Sequence, residues 1–432
     1  MKGFEAPLIK TEIPGPASKL LMSRLRSVEC RNITYISDDF PIFIDKSYMM
    51  NVWDVDGNRF IDLTSFFGVS FIGHSHPVVR ETLNSAEIVN GMGDVLPSVS
   101  KVELLEKISS LLGGGYKGIL AQNGADSVES AIKTAWLYTG RRKIISFENA
   151  YHGLSIGTLS VTHNPKFKRP FGDAIPTWGI SVPFPGLRHS EEEVLEIVKK
   201  HLESGDVAMI LLEPIQARGG VRMFPLMFVK EVAKLAKDFG ALLAFDEIFT
   251  GFGRSGKLFA FEYFDVKPDI IILGKALSSS FPISVMMARE EVMDAWPVSE
   301  GEAIHTSTFL GHPLISKVAR NVIEYIEENK LWLEAELKGK YFLKKLLDLK
   351  EKFPEGIADV RGWGLLIGVE LKGVSAFKVT KELLKRGFIT LPSGPEGEVL
   401  ELTPPVVITE EIIDNFVSEF QRVLSRWHSM KE

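Results

Sequence analysis

The chain has 432 residues, 45% of them hydrophobic and 25% charged, a composition of folded proteins at a length that argues for two domains or one large domain with an appendage. A formal charge of −6 without any run of five or six like charges gives no support to nucleic-acid binding, and no apolar run approaches a membrane span, so no membrane partner is expected. The single cysteine, Cys30, excludes an internal disulfide framework, and the first twenty residues carry Lys2, Glu5, Lys10, Glu12 and three prolines rather than the apolar core of a signal peptide, so a cytoplasmic protein is expected.

Residues 1–30 read as an arm with a Pro/Gly-rich start and a short basic helix around 20–26. Residues 42–72 alternate and turn like a small sheet, with Asp56-Gly57 as a hairpin signal between Val52-Trp53 and Phe60-Ile61. From about 100 to 325 helical and strand patterns alternate, which predicts a mostly parallel sheet covered by helices. Val128, Ala131, Ile132, Ala135 and Trp136 recur at helical spacing and Gly140 follows, predicting a helix over 126–139. Val229, Val232, Leu235, Ala236 and Phe239, closed by Gly240, predict another that feeds the buried strand beginning at Ala241. After Pro313 the composition shifts: 316–350 reads as one long charged helical stretch, 362–370 as a strand, 377–386 as a helix and 398–402 as a strand. The last helix takes Thr409 as N-cap, Glu410 and Glu411 in its first turn, and Ile413, Phe416, Phe420, Val423 and Trp427 as its apolar stripe.

Several segments could carry chemistry. Residues 121–127 open the first of these helices with small side chains, leaving N–H groups free for an anion such as phosphate; the plain alternative is a cap made by Asp126 or Ser127. Tyr151-His152-Gly153 follows the strand 143–147, where an aromatic can cover one face of a planar ligand, although such a pair is more often packing. Residues 251–256 match G-x-G-x-x-G, but two carboxylates precede them where a pyrophosphate would be repelled, and no helix opens clearly behind them, so a crowded turn is the reading. Residues 305–309 read as a hydroxyl-rich loop. The nine histidines, His74 and His76 among them, show no metal-ligand spacing, so no metal is expected.

Lys275 says most. It ends a short buried strand, where an ammonium must leave the apolar interior or be neutralised, and an imine with an aldehyde cofactor is one use for such an amine. Asp246 ends a second buried strand 29 residues earlier. A lysine for the imine and an aspartate for the pyridinium nitrogen are the two groups pyridoxal phosphate requires of its protein.

Together these segments resemble the class III aminotransferases, pyridoxal-phosphate enzymes of fold type I that include the 4-aminobutyrate, ornithine and ω-amine enzymes. The resemblance runs from about residue 40 to the C-terminus and rests on 53–59, 73–77, Tyr151-His152-Gly153, Glu213-Pro214-Ile215-Gln216, Asp246-Glu247 with 250–256, and Leu273-Gly274-Lys275-Ala276. It implies an α/β fold, with a mostly parallel sheet between helices in a large domain over 91–325. A smaller α+β domain over 326–432 is joined by an arm and small-sheet segment over 1–90. It also implies that Lys275 bears the imine and shuttles the proton, and that Asp246 keeps the ring nitrogen protonated. Gly124 and Ala125 would bind the phosphate, while Tyr151 would stack on the ring with His152 beside it and Ile248 behind. Thr308 would reach the phosphate of the other subunit of a homodimer, and Phe66, Phe67 and Glu213 would fall on the substrate side.

The departures bear on substrate. Many relatives place a Glu two residues after the Gln of Glu-Pro-Ile-Gln and an Arg before a late Pro-Pro; here those positions hold Arg218 and Glu401, a charge exchange that predicts a salt bridge of reversed polarity and an Arg218 clamp for a substrate carboxylate. Leu154 stands where some 4-aminobutyrate enzymes carry an Arg, and Phe249 where many relatives have a Gln. The expected activity is transfer of an amino group from an amine or amino acid to a 2-oxo acid. A racemase, epimerase or aminomutase of the same family is the same-cofactor alternative, and a non-catalytic scaffold the remote one.

Overall fold

The computed structural model describes residues 5–87, 90–93 and 95–428. The chain forms two compact units, one of Pro77–Leu333 and one of the described residues up to His76 and from Glu334 onward. The sequence expectation set boundaries at 90/91 and 325/326. They lie elsewhere because helix Pro77–Ser85 packs on helix Pro313–Glu328, where Asn321 Nδ2 donates to Thr82 Oγ1 at 2.8 Å.

Pro77–Leu333 is built on a seven-stranded sheet in the order Tyr116–Ala121, Ser284–Arg289, Ile270–Leu273, Leu242–Asp246, Val207–Leu212, Lys143–Phe147, Gly179–Val182. Neighbours run parallel except that Ser284–Arg289 is antiparallel to both of its own. The central strands read as unbroken apolar runs because both faces are covered. On one face helix Gly124–Thr139 lays Val128, Ala131, Ile132 and Ala135 against Met209, Leu211, Ala244, Ile270 and Ile272. On the other, helices Glu191–Leu202 and Leu226–Phe239 bring Val194, Val198, Val229 and Val232 onto Phe147, Ile210, Leu243 and Phe245. Both predicted glycine stops are found: Gly140 (φ 70°) and Gly240 (φ 66°) end their helices in the left-handed region, where a Cβ would be strained.

The other unit holds two four-stranded sheets. One runs Ile44–Tyr48, Asn51–Asp54, Arg59–Asp62, Phe388–Ile389, and its hairpin turns at Asp56-Gly57 as read from sequence, with Asp54 Oδ1 accepting from the N–H groups of Asp56 and Asn58 at 3.0 and 2.8 Å. The second runs Ile357–Trp363, Leu366–Leu371, Val399–Leu402, Leu391–Ser393. The single strand expected over 362–370 is therefore corrected to the two arms of a hairpin, because Gly364 at φ 54° reverses the chain between Trp363 and Leu366. The final helix, Glu410–His428, buries Ile413, Phe416, Phe420 and Val423, with Phe416 edge-on to Phe342 and Phe388; Trp427 is only half-buried.

The long helix expected over 316–350 is likewise two helices, Pro313–Glu328 and Leu331–Lys352. Asn329 Nδ2 donates to the Tyr325 carbonyl at 2.8 Å and Lys330 takes φ 47°, so the helical ladder stops there despite continuous charge patterning. Among the described residues no helix is long and apolar enough to cross a membrane.

Candidate active site

Parallel strands deliver their C-terminal ends to one edge of a sheet, and that edge collects the chemistry. Asp246 ends its strand, Glu213 follows Leu212, Tyr151 and His152 lie just beyond Phe147, and Lys275 lies two residues past Leu273. They line one cavity of about 290 Å³, all of it within Pro77–Leu333, together with Asn123, Gly124, Ala125, Gly153, Leu154, Arg218, Ile248 and Phe249.

Asp246 is buried, and both of its oxygens are engaged: Oδ2 with His152 Nδ1 at 2.7 Å and Oδ1 with the Ile248 N–H at 3.1 Å. A carboxylate still has acceptor capacity beyond two bonds, so a protonated ring nitrogen can be added. His152 Nδ1 faces the carboxylate, and its Nε2 is buried without a hydrogen-bond partner in the protein. Glu213, also buried, accepts from the Tyr151 N–H at 2.9 Å, and burial, reinforced by the Asp246 charge, pushes its carboxyl up to about 7 against the pull of His152, the Tyr151 N–H and Lys275. Glu213, expected on the substrate side, lines the cavity and also holds the Tyr151 backbone through that bond. Burial raises the Tyr151 hydroxyl while the Arg218 guanidinium, 5.5 Å from the ring centroid, pulls it down. Arg218 stands on a tight turn in which the Ala217 carbonyl accepts from the N–H groups of Gly220 and Val221, both at 3.1 Å.

The helix start is resolved by one residue that sequence reasoning left out. Asn123, not Asp126 or Ser127, is the cap: its side chain accepts from the Asp126 N–H at 3.1 Å and its carbonyl accepts from the Ser127 N–H at 3.3 Å. The first-turn donors of Gly124 and Ala125 are the ones that no helical bond uses, so capping and anion binding coexist. A Cβ at Gly124 would stand 2.7 Å from Ile248 Cδ1, so any side chain there would push the Ile248 side chain aside. Lys275 is half-buried at φ 46°, with Nζ 3.7 Å from the centroid of the Phe249 ring. An N–H cradle, a histidine-held carboxylate, an amine and the Tyr151 and Ile248 walls are the donor set that pyridoxal phosphate needs.

The other expected site residues lie as follows. Residues 251–256 form a turn, with Gly251 N–H donating to the Glu247 carbonyl at 2.9 Å and only a short 3-10 turn, Ala260–Tyr263, behind it. Thr308 is exposed, next to Ser307, whose Oγ accepts from Gln122 Nε2 at 3.3 Å. Phe66, Phe67 and Glu401 belong to the other unit. There Phe66 (φ 48°) and Phe67 (φ 60°) follow a left-handed Ser65, Phe66 lies 4.4 Å from the ring of His74, and His74 Nε2 pairs with Asp62 Oδ2 at 2.7 Å. Glu401 is buried in strand Val399–Leu402, opposite Gly368 and Leu391.

Comparison with known proteins follows the same lines. The family described as Aminotransferase class-III matches residues 34–424. The alanine/serine racemase of Pyrococcus horikoshii is 34% identical across 98% of this chain and 93% of that protein. The acetylornithine aminotransferase of Methanocaldococcus jannaschii is 33% identical across 89% of this chain and 94% of that protein. The ornithine aminotransferase of Toxoplasma gondii, in a structure with partial occupancy of pyridoxal phosphate at its active site, superposes with a TM-score of 0.84 at 28% identity, covering 95% of this chain and 96% of that one.

Proposed function

This chain belongs to the class III aminotransferases, pyridoxal-phosphate enzymes, and from that membership we propose that the cavity holding Lys275 and Asp246 is where it moves an amino group between an amino compound and a 2-oxo acid. The observation that carries the roles is the convergence of an amine, a carboxylate bonded to histidine at 2.7 Å and an open helix N-terminus on one cavity.

When bound, pyridoxal phosphate supplies an electron-withdrawing ring that stabilises negative charge on the substrate carbon losing its proton. On this reading the Gly124 and Ala125 N–H groups bind the phosphate, helped by the positive end of the helix dipole. Asp246 holds a proton on the ring nitrogen, and His152 keeps that carboxylate oriented by donating from Nδ1. Tyr151 and Ile248 take the two ring faces. Lys275 Nζ holds the cofactor between turnovers and carries the proton that leaves the substrate Cα. Arg218, whose planar guanidinium suits two-point recognition, clamps a substrate carboxylate. Thr308 completes the phosphate site of the other subunit in a homodimer. The lone Cys30 suits a reducing cytoplasm.

The test is a panel of amines and amino acids given to the cofactor-loaded protein. Transamination releases one equivalent of oxo product per site without an acceptor and turns over only when a 2-oxo acid is added; the reading fails if no member of the panel yields an oxo product. A second reading, racemisation, is favoured by the name of the Pyrococcus horikoshii relative. Arg218 weighs against it, because a guanidinium stays protonated and cannot act as a second base. Chiral analysis of one alanine enantiomer incubated without acceptor separates the two: loss of chirality without oxo product marks the racemase.

A further inference from the structure

Two consecutive carboxylates end the strand Leu242–Asp246, and they do different things. Asp246 lines the cavity, whereas Glu247 is fully buried and accepts from Thr250 Oγ1 at 2.7 Å, the Ala260 N–H at 2.8 Å and the Phe261 N–H at 2.6 Å. Its carbonyl accepts from the Gly251 N–H at 2.9 Å. These bonds close the turn that carries Phe249, a residue only 6% exposed. Onto that ring the neighbouring strand delivers Lys275, with Nζ 3.7 Å from the centroid. A cation within roughly 6 Å of an aromatic centroid is attracted by the ring quadrupole.

We propose that Phe249 is a positioning residue that holds the protonated amine of Lys275 on its ring face whenever that amine carries no covalent partner. The proposal rests on the reading of Lys275 as the lysine that holds the cofactor. Each time that lysine is released, the ring contact narrows the range of a long flexible side chain that carries about 2 kcal/mol of rotamer entropy. The charged and titratable groups that share its cavity are Asp246, Glu213, His152, Tyr151 and Arg218. Asp246 and Glu213 already accept hydrogen bonds from His152, Ile248 and Tyr151, and Glu213 loses part of its charge near pH 7. The ring face attracts the ammonium whatever the state of those carboxylates, and it has no proton to give or take.

Competitive acetylation of the cofactor-free protein over a pH series, read by mass spectrometry on the Lys275 peptide with exposed Lys267 as reference, tests this. Phe249→Leu removes the quadrupole and keeps an apolar side chain; it should move the Lys275 labelling midpoint to lower pH and raise labelling at about pH 8 by about threefold to tenfold. Phe249→Tyr keeps the ring and should titrate with the wild type. Mere loosening of the turn would hydrate the amine and move the midpoint to higher pH, the direction opposite to the one expected here. Superimposable titrations for the wild type and the leucine variant, or a tyrosine variant that follows the leucine one, overturn the proposal. Borohydride trapping of the cofactor on wild-type protein is a separate readout: absence of an adduct at Lys275 removes the functional reading of the lysine, while the titrations still decide the ring contact.

Discussion

At Lys275 a non-glycine residue occupies φ 46°, a conformation that costs roughly 1–2 kcal/mol and persists where the surroundings fix it. Lys275→Ala should leave a folded protein that binds cofactor without a borohydride-trapped adduct and loses at least about 10³-fold in turnover, as expected when a proton-transferring group is removed; normal turnover would rule out the assignment. Asp246→Asn keeps the shape and removes the charge opposite His152, so turnover should drop by about 10²- to 10³-fold while cofactor affinity changes much less. Glu213 offers a pH test. Its folded pKa of about 7 lies above the ordinary 4.5, so the folded state holds that proton more tightly; the resulting stabilisation is complete below about 4.5 and is lost as pH rises through about 7. Over that window the cofactor-free protein should lose about 3 kcal/mol at this residue. Denaturant titrations at several pH values should show that slope in the wild type and a flatter one in Glu213→Gln; parallel slopes would mean that Glu213 ionises normally. The places of Asp246 and Lys275 at the C-terminal ends of apolar runs were legible, because those runs mark the strands that precede them. The His152–Asp246 bond was not, since nothing in a spacing of 94 residues announces it.

At the scale of elements, helix stops were readable wherever a glycine marks the left-handed cap, as at Gly140 and Gly240. The break at Asn329-Lys330 was missed because charge and apolar spacing run on through it, and the reversal at Gly364 because apolar residues flank it on both sides. The N-terminus of helix Gly124–Thr139 gives the test at this scale. Asn123→Ala removes the acceptor that holds the Asp126 N–H, which should cost about 1 kcal/mol of stability and lower the thermal midpoint. Because the same turn is proposed to cradle phosphate, cofactor dissociation should quicken as well. A variant with unchanged midpoint and unchanged cofactor release would show that Asn123 neither caps nor shapes the site.

For the whole molecule, the proposed homodimer makes a complementation test available. If Thr308 serves the other subunit's phosphate, mixing a Lys275→Ala chain with a Thr308→Asp chain and refolding them together should give mixed dimers with one intact site. Each variant alone should be close to inactive, since the aspartate would repel the phosphate. Mixed samples should recover up to about one quarter of wild-type activity, the statistical share for one good site in half of the dimers. Recovery no greater than the sum of the separate variants, or a monomer by sedimentation, would remove the cross-subunit role.

The sequence by itself determined the alternating α/β pattern and the buried strands, with Asp246 at the end of one and Lys275 two residues past another. Those follow from local rules: apolar runs seek a covered sheet, and a buried charge needs a partner or a reaction. Only the tertiary structure decided which strands are neighbours, and with that the meeting of Glu213 with Tyr151, His152 with Asp246, and Lys275 with Phe249. Strand order joins residues far apart in the chain through packing of whole faces, which no local spacing records. The same packing set apart two adjacent carboxylates of identical sequence signal, giving Asp246 to the cavity and Glu247 to the turn behind Phe249.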